Sequence, residues 1–123
     1  MPRYLSLFAY TGEAWARMIR APGDRAEAAG KLIEELGGRM ETFSWMIGGY
    51  DGMVVYEVPD EVTAAALLGG VHASTLIREI TTYQLLGPDD SGRALDRASA
   101  AQRAYRPPGA PADWRPEYDA LGA

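Results

Sequence analysis

The chain contains no cysteine. That excludes disulfides, thiolate metal sites and cysteine nucleophiles. It contains one histidine, His72, so a single copy cannot build a multi-histidine centre, and no metal site is expected. No apolar run approaches the roughly 18 residues that span a bilayer. The opening MPRYLSLFAY lacks the apolar stretch and small-residue cleavage site of a secretory signal, so the expectation is a cytoplasmic protein with no membrane partner. Basic excess is also missing. Lys and Arg total 12 against 17 Asp and Glu, a net charge of −5, which argues against a nonspecific nucleic-acid partner. There is no Gly-x-Gly-x-x-Gly after a strand, no P-loop and no Gly-x-Ser-x-Gly elbow. No cofactor is expected.

What remains is an ordinary globular mixture. The 123 residues are 47% hydrophobic and 24% charged, enough for one domain with a core. Composition changes at Gly87-Pro88, and five of the eight prolines lie from Pro88 onward. Residues 1–87 read as the folded domain, and 88–123 as a C-terminal extension made of a short helix and a Pro-rich arm.

Arg3 to Tyr10 alternates with period 2 and predicts a strand. Gly12 to Ile19 predicts a short helix or turn closed by Pro22-Gly23. Asp24 is placed to cap a second helix, whose stripe is Ala28, Leu32, Ile33 and Leu36 and whose stop is Gly37-Gly38. Arg39 to Ile47 alternates again, with Phe43, Trp45 and Ile47 on one face and Met40, Thr42, Ser44 and Met46 on the other. Gly48 to Gly52 is turn chemistry, and Met53 to Val58 is a strand, so the two strands form a hairpin. Pro59-Asp60 opens a helix from about Glu61 to His72 with Val62, Ala65, Ala66 and Leu68 or Gly69 inward. Leu76 to Leu86 is the last strand. In the extension, Asp89, Asp90 or Ser91 is placed to cap a helix through Ala94, Leu95, Ala98, Ala101 and Tyr105. Trp114, Tyr118 and Leu121 are anchors for the arm.

The order β-α-β-β-α-β predicts an α+β, ferredoxin-like fold with a four-stranded antiparallel sheet. Two helices cover one face. The other face is expected to carry Tyr, Phe, Met or Trp side chains that no further element covers, and a second copy of the chain is the simplest cover.

At the hairpin, Gly49-Tyr50-Asp51 behind Gly48 resembles the motif that names the GYD-domain family. PRYLSLFAYT, KLIEELGGRMETFSWMIGGYD and VVYEVPDEVTAAAL support the resemblance through about residue 87. The family is similar in shape to the dimeric α/β-barrel superfamily, whose members pair two such sheets face to face and hold a cavity between sheet and helices or beside the interface. Relatives of that shape include cofactor-independent polyketide monooxygenases and cyclases, muconolactone-isomerase-like enzymes and haem-binding enzymes. The resemblance thus implies a homodimeric barrel and, by analogy, a reaction. It carries over no catalytic residue.

The candidate residues come from their own chemistry. His72 follows the helix in GGVHAS, and its ordinary pKa suits proton transfer, or it simply ends the helix. By the superfamily analogy it would also be the one residue to ligate haem. Tyr50 and Asp51 are either turn residues or a donor and a base at a pocket mouth. Glu57 and Glu79 lie mid-strand, where they either face solvent beside Arg39 and Arg78 or line a cavity. The aromatics Tyr4, Phe8, Tyr10, Trp45, Tyr56 and Tyr83 suit a flat ligand or a subunit interface. The function these suggest is a small cofactor-independent enzyme that cyclises, isomerises or oxygenates an aromatic or polyketide-like molecule. Its acid–base set would be His72, Asp51, Glu79 and Tyr50, and its pocket Trp45, Tyr56, Tyr83, Phe8, Glu57 and Arg78. The alternative is a non-catalytic small-molecule-binding or assembly module.

Overall fold

The computed structural model describes residues 1–115 and divides into two compact units, Met1–Leu85 and the segment from Leu86 onward. The first unit runs β1 (Arg3–Tyr10), α1 (Gly12–Arg20), α2 (Arg25–Glu35), β2 (Arg39–Trp45), β3 (Gly52–Glu57), α3 (Glu61–Ala73) and β4 (Ile77–Leu85). The sheet order is β2-β3-β1-β4 and all pairings are antiparallel. This is the ferredoxin-like α+β arrangement that the element order predicts.

Each helix starts where a side chain accepts an orphan backbone N–H. Thr11 caps α1 through Ala14 N–H at 3.1 Å, and Asp24 caps α2 through Glu27 N–H at 3.0 Å. Asp60 caps α3 through Thr63 N–H and its hydroxyl, both at 2.8 Å. Those hydrogen bonds hold the Asp60 carboxyl below the usual range. At the end of α2, Gly37 takes a φ of +84°. Gly37 N–H reaches Glu34 O and Gly38 N–H reaches Ile33 O, each at 2.9 Å, which closes the helix in a Schellman turn.

Two irregularities set which residues share a face. β2 pairs Met40 with Tyr56 and Thr42 with Val55, so Glu41 is an extra residue. The bulge moves Met40 to the side of Phe43 and Trp45, not the side of Thr42 and Ser44 that strict alternation predicts. β4 skips Arg78 between the Ala9–Glu79 and Tyr10–Ile77 pairs.

The core lies on the helix side of the sheet. Tyr4, Phe8, Tyr10, Val54 and Tyr56 cluster there with Ala14, Ile33, Ala64 and Leu67 from the helices. This corrects the expectation that the large aromatics crowd the uncovered face. The opposite face carries Leu5, Leu7, Met53, Val55 and Tyr83, and only Tyr83 of the aromatic set stands on it, 53% exposed. In β1 the period-2 rule places Tyr4, Ser6, Phe8 and Tyr10 together, and the helices select that face because it has the greater area to bury. The inner stripe of α3 is Ala64, Leu67 and partly Val71; Val62, expected inward, is 78% exposed. The Asp60 cap fixes the phase of that helix, and Ala- and Gly-rich turns leave little periodic signal to read.

The second unit contains α4 (Pro88–Ala104). Pro88 occupies the first turn, where its missing N–H costs nothing. No side chain caps it: Ser91, an expected cap, donates its hydroxyl to Pro88 O at 2.8 Å. The helix runs longer than the short segment predicted and buries none of its residues. Tyr118 and Leu121 lie outside the described residues. No described helix is long and apolar enough to cross a membrane.

Candidate functional site

The aromatic face of the sheet and the three helices of the first unit do not close on one another. Between them lies a cavity of about 810 Å³. Phe8, Tyr10, Phe43 and Tyr56 form its sheet wall. Ile33 of α2, Leu36 just beyond it, and Leu67 and Val71 of α3 face them, while Ala14 and Met18 of α1 add a third side to a space that stays open to solvent. The volume and apolar lining match those of small-molecule sites.

The sheet wall has one polar spot. Ser6 Oγ sits 2.9 Å from the Tyr56 hydroxyl and 2.8 Å from Thr82 Oγ1. Ser6 is 4% exposed and Tyr56 1%. Burial pushes the Tyr56 phenol up, and the hydrogen bond from Ser6 only partly opposes this. The phenol therefore stays protonated through the neutral range and acts as a donor or acceptor within a chain of hydroxyls. Tyr4 stacks on Tyr56, with centroids 5.7 Å apart and planes 26° apart.

A run of rings extends from this wall to the end of the sheet. Phe43 meets Phe8 at 5.7 Å and Phe8 meets Tyr10 at 5.4 Å. Tyr10, Trp15 and Trp45 then form a triangle with sides of 5.4 to 5.9 Å. Trp15 of α1 is 37% exposed and Trp45 of β2 51%. Trp45 and Phe43 also border a shallow hollow with Pro22 to Ala26. Burial raises the Tyr10 phenol too, while the Arg25 guanidinium nearby works in the opposite direction.

The hairpin loop 46–51 is tied down from both sides. Asp51 Oδ2 accepts from Tyr10 N–H at 2.8 Å, and Asp51 N–H donates to Phe8 O at 2.8 Å. Tyr50 reaches across to β4, where its hydroxyl lies 2.5 Å from Thr81 Oγ1 and donates to Glu79 Oε1 at 3.2 Å. Ala9, opposite Glu79 in register, is fully buried. Gly52 follows at a close approach: a Cβ there would lie 2.5 Å from Phe8 Cζ. One loop thus holds the ends of β3, β1 and β4 in register beside the ring triangle.

The model of the GYD domain family matches residues 4–95. The chain belongs to the GYD domain family. No curated protein and no solved structure matches it.

In this GYD domain the Tyr50-Asp51 pair acts as a sheet-end clamp, Asp51 on the end of β1 and Tyr50 on β4, rather than in the cavity lining. Of the remaining sequence candidates, Phe8 and Tyr56 line the cavity, and Trp45 stands at the ring triangle. Tyr83 is on the opposite face. Glu57 and Glu79 take the arginine partners the sequence offers them: Arg39 lies 3.4 Å from Glu57, and Arg78 lies 3.7 Å from Glu79. Arg3 forms a two-pronged pair with Glu41, both contacts 2.8 Å. This lowers the Glu41 carboxyl and raises the Arg3 guanidinium. His72 is exposed in the last turn of α3 and does not line the cavity. The structure does not bring His72, Asp51 and Glu79 together with the cavity.

Sequence reasoning missed Ser6, Arg17 and Arg25, which do line it. Ser6 had a signal: it is the one small, non-aromatic residue on a period-2 face otherwise made of the rings Tyr4, Phe8 and Tyr10. Arg17 and Arg25 had none, because an arginine on a helix reads as solvated until the helix is placed.

Proposed function

We propose that this GYD domain binds a flat, mostly apolar small molecule between its sheet and its helices. One observation supports this above the rest: an aromatic-walled space of about 810 Å³ has a hydroxyl pair, Ser6 and Tyr56, hydrogen-bonded to each other and set into its wall. The apolar lining supplies affinity, and the hydroxyl pair fixes orientation through a carbonyl or hydroxyl of the ligand. The test is a titration of the protein with anthracene-2-carboxamide, read by anisotropy. Saturable binding is expected, and Ala28→Trp, which puts an indole at a lining position, is expected to abolish it. Binding unaffected by Ala28→Trp would place the probe elsewhere.

The hydroxyl chain Tyr56–Ser6–Thr82 favours a second reading of the same cavity. A buried phenol can protonate the oxygen of a developing enolate or phenolate. Cofactor-independent cyclisation, isomerisation or oxygenation of an electron-rich ligand would then run through Tyr56, with His72, Asp51 and Glu79 outside the reaction. Turnover of such a ligand that survives Tyr56→Phe unchanged would remove this reading.

The sheet face opposite the helices of the first unit supports a second copy of the chain as partner. Leu5, Leu7, Met53, Val55 and Tyr83 form its middle, and both ends carry paired charges: Arg3 with Glu41 and Arg39 with Glu57 at one end, Arg78 with Glu79 at the other. A patch with both signs at each rim complements itself under a two-fold rotation. Sedimentation of the wild-type chain should give a dimer, and Met53→Glu with Tyr83→Glu should give a monomer.

A further inference from the structure

We infer that the ligand of the cavity is an anionic amphiphile, an apolar body ending in a carboxylate, with its acid group held by Arg25 beside the Tyr10 hydroxyl; this rests on the cavity being a ligand site. The sign of the lining is the first observation. The chain carries 17 acidic against 12 basic residues. Yet among the described residues the charged groups that line the cavity are two arginines, Arg17 and Arg25, with no carboxylate among them. A site of positive sign in an acidic protein selects against cations and favours an anion.

The two arginines are not equivalent. Arg17 donates to Glu13 Oε1 at 2.8 Å, one helical turn earlier on α1. That carboxylate already occupies its charge. Arg25 forms no ion pair among the described residues. The acidic neighbour in sequence, Asp24, spends its carboxylate on the Glu27 N–H as the cap of α2. Arg25 instead shares the cavity lining with Tyr10, whose phenol burial raises while the nearby Arg25 guanidinium works in the opposite direction. A guanidinium with free donors next to a phenolic O–H is a donor set that matches a carboxylate, which accepts from both.

Position supplies the rest. Arg25 and Gly23 belong to the α1–α2 connection and its edge, and Arg25 is exposed, so it stands at the mouth of the cavity. Ser6 and Tyr56 are buried in the sheet wall. A ligand with its acid at the mouth keeps the charge near water, where desolvation is cheap, and sends its apolar body inward. Phe43 and Trp45 border the hollow on the other side of Arg25. The connection between α1 and α2 therefore carries the selectivity of the site.

A matched pair of probes tests this on the full chain: anthracene-2-carboxylate and anthracene-2-carboxamide, which share a ring system and differ in charge. The carboxylate is expected to bind at least about tenfold tighter than the amide at low salt, the scale of a charge-assisted hydrogen bond. Raising salt is expected to erode that ratio. Arg25→Met is expected to bring the ratio below about threefold, and Tyr10→Phe to lower it independently through loss of the second donor. Because the ratio is internal to each variant, a partly unfolded sample lowers both affinities and leaves it readable. Equal affinities in the wild-type chain would overturn the inference while leaving the cavity as a ligand site. So would a ratio that neither variant changes. If neither probe binds the wild-type chain, the cavity reading fails and this inference with it.

Discussion

The carboxylate of Asp51 accepts the backbone N–H of Tyr10 at 2.8 Å, 41 positions away in the chain. This pairing gives the last residue of β1 a partner just where the β4 ladder slips past Arg78. Asp51→Ala removes the acceptor and leaves a partly buried N–H without one. A loss of about 1–3 kcal/mol is expected in urea unfolding. Asp51→Asn keeps an acceptor oxygen and is expected to recover most of it. Equal losses for Ala and Asn would show that charge, not the hydrogen bond, carries the effect.

Tyr4 presents the opposite situation. Its hydroxyl is buried and has no hydrogen-bond partner among the described residues. The ring earns its place by stacking on Tyr56. Tyr4→Phe keeps the ring and deletes the unpaired group, so stability is expected to rise by about 1 kcal/mol. A melting temperature that falls would mean the hydroxyl is satisfied in solution.

Alkaline pH should unfold the protein through its buried phenols. Burial raises Tyr4, Tyr10 and Tyr56 above the ordinary tyrosine value of 10.0. The folded state therefore binds these protons more tightly than the unfolded chain. Their contribution is fully present below pH 10 and is lost as pH climbs from there through the raised folded-state values. Urea midpoints measured upward from neutral pH should hold until that window and then drop. Tyr56→Phe should flatten the drop.

At Gly52 the expected effect is steric. An alanine Cβ would press against the Phe8 ring and lie 3.1 Å from Ser44 O. Gly52→Ala is expected to cost about 1–3 kcal/mol, the usual range for overpacking. Trimming the ring, with Phe8→Leu in the same chain, should return part of it. Double-mutant coupling near zero would contradict the close approach.

Much of the fold was legible in the sequence because its signals are local. Asp24 and the Gly37-Gly38 stop are readable as a cap and an end, alternation marks Arg3–Tyr10 and the strand from Arg39, and β-branched and aromatic composition marks the strand from Met53. What alternation could not show was the extra residue at Glu41, since a bulge changes parity without changing composition. Nor could it say which side of β1 meets the helices. Both sides of Arg3–Tyr10 are apolar, and the choice belongs to packing. The site was less legible for a related reason. His72 and Tyr50 attract notice by residue type, whereas the cavity depends on how far α1, α2 and α3 stand from the sheet. Spacing between layers leaves no mark in a single strand or helix.

Arg3–Tyr10 sits between two neighbours translated well after it, Gly52–Glu57 and Ile77–Leu85. While the ribosome is still working toward Leu85, this greasy segment has no completed β partner on one side. The nascent chain must therefore be shielded by collapse onto its own early helices or by a chaperone. Stalled or truncated products ending within α3 would expose it permanently, and they should be the species that aggregate.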